Sequence, residues 1–225
     1  MSDLLAVILA AGKGTRMKST LPKVLHKIGG KPMVQQVMNA ADLAGAKRKI
    51  VVVGFGAESV ETALGNQAEY VVQQEQLGTG HAVMQASEIL KDFEGTVMVL
   101  CGDTPLLQGQ TLAKLFAEHQ AAKASATVLT ACMPDPTGYG RVIRDESGQV
   151  LKIVEQKDAT SRELAVNEVN TGIYCFERKA LFEALNSINC NNMQGEYYLT
   201  DVIGILAQNQ AKVWAVQVEE YEETL

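Results

Sequence analysis

Residues 4–17 read LLAVILAAGKGTRM, an apolar run that passes directly into a glycine-rich turn. The run lacks the polar alternation of a half-buried strand, which is typical of a strand covered on both faces of a parallel sheet. The two glycines let a ligand approach the main chain closely, because glycine adopts backbone angles that other residues avoid. Successive N–H groups in such a turn bind phosphate oxygens, and Lys13 and Arg16 add positive charge. The stretch therefore predicts a phosphate-binding turn after the first strand of an α/β fold.

Two better-known phosphate loops do not fit this turn. The dinucleotide fingerprint G-x-G-x-x-G needs a third glycine where Met17 stands, and the P-loop needs wider glycine spacing followed by Lys-Ser or Lys-Thr. NAD binding and a Walker-type ATPase are therefore disfavoured. A turn that only connects a strand to a helix is the simpler alternative. Because two basic residues flank the glycines, the sequence favours phosphate binding.

Composition narrows the class of protein. The chain has 225 residues, 47% of them hydrophobic and 20% charged, with a formal net charge of −6. This charge argues against a general nucleic-acid binder. The four cysteines are far apart and form no C-x-x-C pair, so we expect reduced core thiols, with neither a disulfide framework nor a zinc site. No signal peptide or membrane-length apolar run is visible, and a cytoplasmic protein without membrane insertion is expected.

Strand and helix patterns alternate in the first half of the chain. Strands are predicted at residues 4–9, 49–54, 70–72 and 96–100, and helices at residues 32–44, 57–64, 79–90 and 110–122. This order predicts a Rossmann-like α/β fold, with βαβ units forming a mostly parallel central sheet that has helices on both faces.

The pattern changes at about residue 125. Strands are predicted at residues 126–131, 141–144, 150–155, 169–176 and 213–218, and helices at residues 178–185 and 198–208. Because no linker-like stretch separates the halves, we expect one domain over residues 1–225. Its two lobes would cover about residues 1–124 and about residues 125–225, the second richer in strands.

Two further charged residues fit a phosphate site. Lys23 follows Pro22 one short loop after the glycine-rich turn, within reach of the same phosphates. Asp103 ends the strand at 96–100, at the carboxyl edge of the sheet where ligands bind in such folds. A carboxylate beside phosphates is unfavourable unless a cation lies between them, so Asp103 is a candidate Mg²⁺ ligand. An aspartate that merely caps the strand is the alternative.

Residues 9–17 followed by Pro22-Lys23 resemble the signature of sugar-phosphate nucleotidyltransferases. Six later blocks resemble the uridyltransferase domain of the bacterial bifunctional N-acetylglucosamine-1-phosphate uridyltransferase/glucosamine-1-phosphate acetyltransferases. They are QQEQLGTGHA (73–82), GDTPL (102–106), DPTGYGR (135–141), VEQKDA (154–159), EVNTG (168–172) and QGEYYLTD (194–201). The blocks follow the family order across essentially the whole chain.

The resemblance implies that the chain joins N-acetylglucosamine 1-phosphate to UTP, releasing diphosphate and forming UDP-N-acetylglucosamine for peptidoglycan and lipopolysaccharide precursors. It implies catalytic roles for Arg16 and Lys23 and a Mg²⁺ ion on Asp103. The first lobe would bind the nucleotide and the second the sugar. The implied substrate-binding residues are Leu9, Ala10, Ala11, Gly12, Lys23, Gln73, Gln76, Gly78, Thr79, Gly140, Glu155 and Asn170.

Several of these residues also have simpler interpretations. The amides of Gln73 and Gln76 suit the edge of a uracil ring, but glutamines are also common in polar loops. Thr79 can contact the base or cap a helix. His81 is interpreted as structural. A nucleotidyltransferase for another sugar or for dTTP, and a non-catalytic nucleotide-sugar-binding module, remain alternatives.

The family pattern also extends past this sequence. Its members continue beyond the equivalent of Leu225 to an asparagine that is a second metal ligand, and then to a β-helix with acetyltransferase activity that forms trimers. The resemblance therefore implies a fragment of a longer enzyme, without that β-helix and with weaker metal binding.

Overall fold

The computed structural model describes residues 3–14 and 17–225. Its strands are β1 (Asp3–Ala10), β2 (Lys27–Ile28), β3 (Lys31–Pro32), β4 (Arg48–Val53), β5 (Glu69–Val72), β6 (Gly95–Cys101), β7 (Ala126–Cys132), β8 (Arg141–Arg144), β9 (Val150–Val154), β10 (Glu168–Glu177) and β11 (Val213–Gln217). Its helices are α1 (Met33–Leu43), α2 (Ala57–Leu64), α3 (Thr79–Met84), α4 (Gly109–Ala122), α5 (Ser161–Leu164), α6 (Arg178–Leu185) and α7 (Thr200–Gln208).

A nine-stranded sheet organises the molecule, with the order β11-β7-β10-β6-β1-β4-β5 along its main path. β10 runs antiparallel to both β6 and β7, and the other neighbouring pairs on this path are parallel. β8 and β9 branch from β10 as an antiparallel pair. The predicted α/β fold with a mostly parallel central sheet is confirmed.

The first strand separates two halves of the core. Leu5 and Val7 pack on one face, with α3, α6 and α7, whereas Ala6 and Ile8 pack on the other, with α1, α2 and α4. The apolar run is uninterrupted because both faces of β1 are covered by helices. β1 therefore holds the turn that follows it at the centre of the carboxyl edge.

The second half of the chain contributes strands to this same sheet. β10 inserts between β6 and β7, and its register shifts between Asn170 and Tyr174. The chain bends at this irregularity, as is usual for a bulged strand. The division into two lobes at about residue 124 stays a prediction.

Several details differ from the sequence-based expectation. α3 ends at Met84. The chain then continues through residue 90, the predicted helix end, as hydrogen-bonded turns, most of them between residues three apart. The short α5 was not predicted, although Thr160 and Glu163 form a reciprocal capping box at its start. All four cysteines are free thiols, but only Cys175 is fully buried and Cys132 is exposed.

Among the described helices, none combines the length and the apolar character required to cross a membrane.

Candidate active site

A cavity of about 530 Å³ lies where β1 and β6 end and α3 begins. The carboxyl edge of a parallel sheet is the usual ligand position in such folds. The walls of the cavity are Leu9, Ala10, Ala11, Gly12, Gly14, Met17, Lys23, Val24, Gln73, Gln76, Gly78, Thr79, Ala82, Cys101, Asp103 and Glu196. Ten predicted site residues thus meet around one space, although they come from four separate parts of the chain. Arg16 lies outside the described residues.

The glycine-rich turn is packed against the loop that carries Lys23. Gly14 has φ of +57°, and a Cβ atom there would stand 2.7 Å from the Cβ of Lys23. The Ala11 carbonyl accepts a 3.2 Å hydrogen bond from the N–H of Phe55, which ties the turn to the loop after β4. Only glycine therefore allows the turn to lie this close to Lys23.

Lys23 and Asp103 form an ion pair at the cavity. The lysine Nζ lies 2.6 Å from Asp103 Oδ2, and the side chains are 38% and 34% exposed. Lys23 begins a short 3₁₀ turn anchored by the buried Val24 and Leu25. Asp103 follows Gly102, whose N–H donates a 2.9 Å hydrogen bond to the Leu9 carbonyl. The two opposite charges are thus held by neighbouring parts of the sheet edge and remain accessible to a ligand.

The two glutamines have their amide nitrogens bonded within the protein. Gln73 Nε2 donates to the Gly78 carbonyl over 3.1 Å and lies 3.0 Å from His81 Nδ1. Gln76 Nε2 donates to the Gln73 carbonyl over 3.1 Å. The sequence suggested that each amide offers both donors and an acceptor; in the structure Gln73 leaves its oxygen for a ligand, and Gln76 leaves its oxygen and one N–H.

Gly78 and Thr79 form the start of α3 against the segment before α7. Gly78 has φ of +111°, and a Cβ there would stand 2.6 Å from the Tyr197 carbonyl oxygen. The Thr79 hydroxyl accepts a 3.0 Å hydrogen bond from the N–H of Leu199. Gly78 occupies the N-cap position of α3 and makes no side-chain capping bond, so Thr79 is the first residue of the helix and the capping interpretation of Thr79 is wrong. Thr79 joins two elements while lining the cavity.

The residues predicted to bind sugar lie along β8, β9 and β10. Glu155 lines a second cavity of about 530 Å³, and its Oε1 accepts a 3.1 Å hydrogen bond from the Thr200 hydroxyl. A Cβ on Gly140 would stand 3.4 Å from that same Oε1. The N–H of Asn170 donates to the Gly140 carbonyl over 2.9 Å. These three predicted residues are therefore neighbours, although Gly140 and Asn170 are not among the walls of either cavity.

Glu155 has an unusual electrostatic environment. Burial raises the pKa of its carboxyl, the hydrogen bond from Thr200 opposes this effect, and the nearby carboxylates of Asp158, Asp201 and Glu196 raise the pKa further. A buried carboxylate with like charges around it is costly to keep ionised. Sites with such perturbed groups are frequently functional.

Cys101 connects the two groups of residues and was assigned only to packing from the sequence. Its thiol lines the first cavity and lies 3.6 Å from the Gly172 carbonyl, in the bend next to Asn170. Burial, followed by the charge of Asp103, raises the pKa of this thiol to about 12, so it is a neutral wall of the cavity. Its position directly before Gly102 and Asp103 is the sequence signal that could have identified it.

No cluster of three or more His, Cys, Asp or Glu side chains suited to a metal occurs in residues 3–14 and 17–225. Asp103 is the carboxylate that stands beside the turn and Lys23. Mg²⁺ commonly takes one or two protein carboxylates and completes its shell with water and substrate phosphates. The single carboxylate of Asp103 therefore fits a metal ion whose other ligands are water and substrate phosphates.

Residues 5–221 match the family described as Nucleotidyl transferase, and the chain belongs to this family. Two curated relatives, both called Bifunctional protein GlmU, come from Bacillus mycoides (strain KBAB4) and Bacillus cereus (strain G9842). Each is 55% identical to this chain over 225 residues, which are 100% of the chain and 49% of the relative. The chain thus spans about half the length of these relatives. The family resemblance seen in the sequence motifs is confirmed.

A solved structure supports the fold independently. The crystal structure of UDP-glucose pyrophosphorylase complexed with UDP-glucose superposes with a TM-score of 0.80, covering 100% of this chain and 94% of that chain. The sequences are only 20% identical, so the likeness concerns the fold alone.

Proposed function

We propose that this chain transfers uridylyl from UTP to N-acetyl-α-D-glucosamine 1-phosphate, forming UDP-N-acetylglucosamine and diphosphate. The observation that carries the proposal is the single cavity in which the turn after β1, the Lys23–Asp103 pair and the two glutamines meet. This cavity combines groups that suit phosphates with amides that suit a nucleotide base. The motif resemblance and the 55% identity to the GlmU relatives supply the particular substrates.

The chemistry requires positioning and charge neutralisation. An oxygen of the sugar phosphate is already a competent nucleophile and attacks the α-phosphorus of UTP in line with the departing diphosphate. No covalent intermediate on the protein is needed. Lys23 stabilises negative charge around the α-phosphate, and main-chain N–H groups of the turn hold phosphate oxygens. Arg16 is assigned to the departing diphosphate on the basis of the resemblance.

Asp103 is the proposed Mg²⁺ ligand. The ion, when bound, neutralises phosphate charge beside this carboxylate. In this structure Lys23 Nζ supplies the positive charge next to Asp103, 2.6 Å from Oδ2. A phosphate group gives Lys23 a second anionic partner, and Asp103 then has an oxygen free for the metal.

The sugar is proposed to lie toward Glu155, Gly140 and Asn170. A carboxylate accepts hydrogen bonds from sugar hydroxyls, and an asparagine amide serves hydroxyl or N-acetyl groups. The contact between Cys101 and Gly172 brings this group next to the nucleotide cavity. This placement of the sugar is supported by the proximity of Glu155, Gly140 and Asn170 to one another.

The test is turnover with UTP, CTP and dTTP against a panel of sugar 1-phosphates, with and without Mg²⁺. Diphosphate release and the mass of the nucleotide sugar are measured. We expect UTP with N-acetylglucosamine 1-phosphate to give the highest kcat/KM, and Mg²⁺ removal to abolish turnover. Preference for another pair would support the related-transferase alternative, and nucleotide binding without any diphosphate release would support a binding module.

A further inference from the structure

Gln73 is a buried side chain whose amide orientation is fixed by two neighbours. The residue is 3% exposed and lines the nucleotide cavity. Its Nε2 lies 3.1 Å from the Gly78 carbonyl oxygen and 3.0 Å from His81 Nδ1. A carbonyl oxygen only accepts hydrogen bonds, so the nitrogen end of the amide must face this corner.

This orientation also determines the tautomer of His81. A neutral imidazole has one N–H and one acceptor nitrogen. The Gln73 nitrogen can only donate, so Nδ1 accepts from it in the tautomer that carries the ring proton on Nε2. Gln85 Nε2 lies 3.2 Å from that ring nitrogen, farther than the 3.0 Å of the Gln73 contact, and donates to the His81 backbone carbonyl over 2.9 Å.

The cavity therefore receives an acceptor from Gln73. Both amide hydrogens are used by Gly78 and His81, and the Oε1 atom has no hydrogen-bond partner among residues 3–14 and 17–225. The nitrogen of Gln76 donates one of its two hydrogens to the backbone carbonyl of Gln73. A uracil ring carries an N3–H donor where cytosine carries an acceptor. An amide fixed with its oxygen inward selects the uracil pattern, whereas an amide free to turn over accommodates either base.

We propose that His81 is a positioning residue for nucleotide specificity: it holds the Gln73 amide with its oxygen toward the cavity and so favours uridine over cytidine nucleotides. This inference rests on the proposed function, because it concerns how that same cavity reads the base. His81 acts through Gln73 and need not touch the ligand.

Calorimetric titration with UTP and with CTP tests the proposal through the ratio of the two dissociation constants. His81→Phe keeps a ring but removes the acceptor, and His81→Asn restores an acceptor near the position of Nδ1. Gln85→Leu is the matched control, since it removes the amide beside the other ring nitrogen of His81 without touching Gln73. Circular dichroism identifies folded variants, and His81→Ala replaces His81→Phe if the larger ring disrupts α3.

We expect the preference for UTP to fall about fivefold in His81→Phe, the size of one lost hydrogen bond, and to persist in His81→Asn and Gln85→Leu. Equal weakening of both nucleotides by His81→Phe, with an unchanged ratio, would overturn the inference while leaving the proposed function intact. If the unmodified protein binds neither nucleotide, or does not prefer UTP, both fail.

Discussion

At the scale of single residues, the candidate site is organised around one pair of opposite charges. Lys23 and Asp103 follow different elements, yet their charged atoms are 2.6 Å apart. Because both side chains are about one-third exposed, the pair contributes only about 0–1 kcal/mol to stability. Its importance is therefore for ligand binding, where each member gains a second partner of opposite charge.

Lys23→Ala should lower kcat about a hundredfold or more while the protein remains folded, because a positive charge near the α-phosphate is lost at the transition state. Steady-state turnover and a thermal melt give the two readouts. Lys47→Ala is the control, since Lys47 makes an equally short 2.6 Å pair with Asp3 near the amino end of β1. Near-normal turnover of both Lys23→Ala and Arg16→Ala would contradict the proposed catalytic roles.

Glu155→Gln should make the protein more stable at neutral pH. The pKa of this carboxyl is raised in the folded state, chiefly by burial, so its stabilising contribution is complete below the unfolded value and is lost as pH rises through the folded value. The glutamine variant avoids that loss and keeps an acceptor for Thr200.

Thermal melts of the Glu155→Gln protein at pH 7 and near pH 4 check this expectation. The variant should melt a few degrees higher at pH 7, and the difference should shrink at the lower pH. Glu163→Gln gives the opposite sign as a control, because hydrogen bonds from Lys152 and Thr160 lower the pKa of Glu163 to about 2. A Glu155→Gln protein that is less stable at pH 7 would contradict the argument.

At the scale of elements, the start of α3 is joined to the segment before α7. The Tyr197 N–H donates to the Leu77 carbonyl, and the Gly80 N–H donates to the Tyr197 carbonyl, each over 2.8 Å. The Thr79 hydroxyl adds the bond from Leu199. This connection places one wall of the nucleotide cavity directly against residues from the second half of the chain.

Gly78→Ala should weaken UTP binding and lower the melting temperature, since the new methyl group would meet the Tyr197 backbone at 2.6 Å and must displace α3. Gly30→Ala is a matched control: Gly30 has φ of +84°, but nothing lies within 4 Å of a Cβ there. Both variants carry the backbone strain of a positive φ, which is larger at Gly78 because its φ of +111° and ψ of 174° lie in a region nearly exclusive to glycine, and only Gly78→Ala carries the clash. Equal effects of the two variants on UTP affinity, measured by titration, would show that the contact with Tyr197 is unimportant.

The sequence was sufficient to predict which segments form the site, but not which hydrogen bonds and ion pairs join these segments. The turn after β1 and the aspartate after β6 were predictable, because an apolar run and the residue that ends it are adjacent in sequence. The partner of Thr79 was not predictable, since Leu199 is 120 residues away and its N–H carries no signature in the sequence. The Lys23–Asp103 pair was not predictable for the same reason, because its members are 80 residues apart.

At the scale of the whole molecule, the alternation of elements was sufficient to predict a parallel sheet but not its strand order. β10 runs antiparallel in the middle of the sheet, and no local property of residues 168–177 distinguishes it from a parallel strand. Its placement depends on pairing with β6, some seventy residues earlier, including Tyr174 opposite Val99. Long-range pairing of this kind is decided by the packing of the complete sheet.

This strand order predicts that the chain unfolds as one cooperative unit. Removing residues 125–225 would expose the edge of β6 that pairs with β10, so residues 1–124 should not fold alone. The chain has a single tryptophan, Trp214, which lies in β11 at the far end of the sheet and reports on the second half. Urea unfolding followed by its fluorescence should coincide with unfolding followed by far-ultraviolet circular dichroism, which reports on all helices and strands.

UTP sharpens this test, because its proposed binding residues lie mainly in the first half. A ligand that binds only the folded state stabilises by mass action, so saturating UTP should shift the tryptophan transition and the circular dichroism transition by the same amount. Two separate transitions, with only the first moved by UTP, would instead mean that the predicted lobes unfold independently. The antiparallel pairing of β10 with β6 makes that outcome unfavourable, since separating the lobes breaks this strand interface within one sheet.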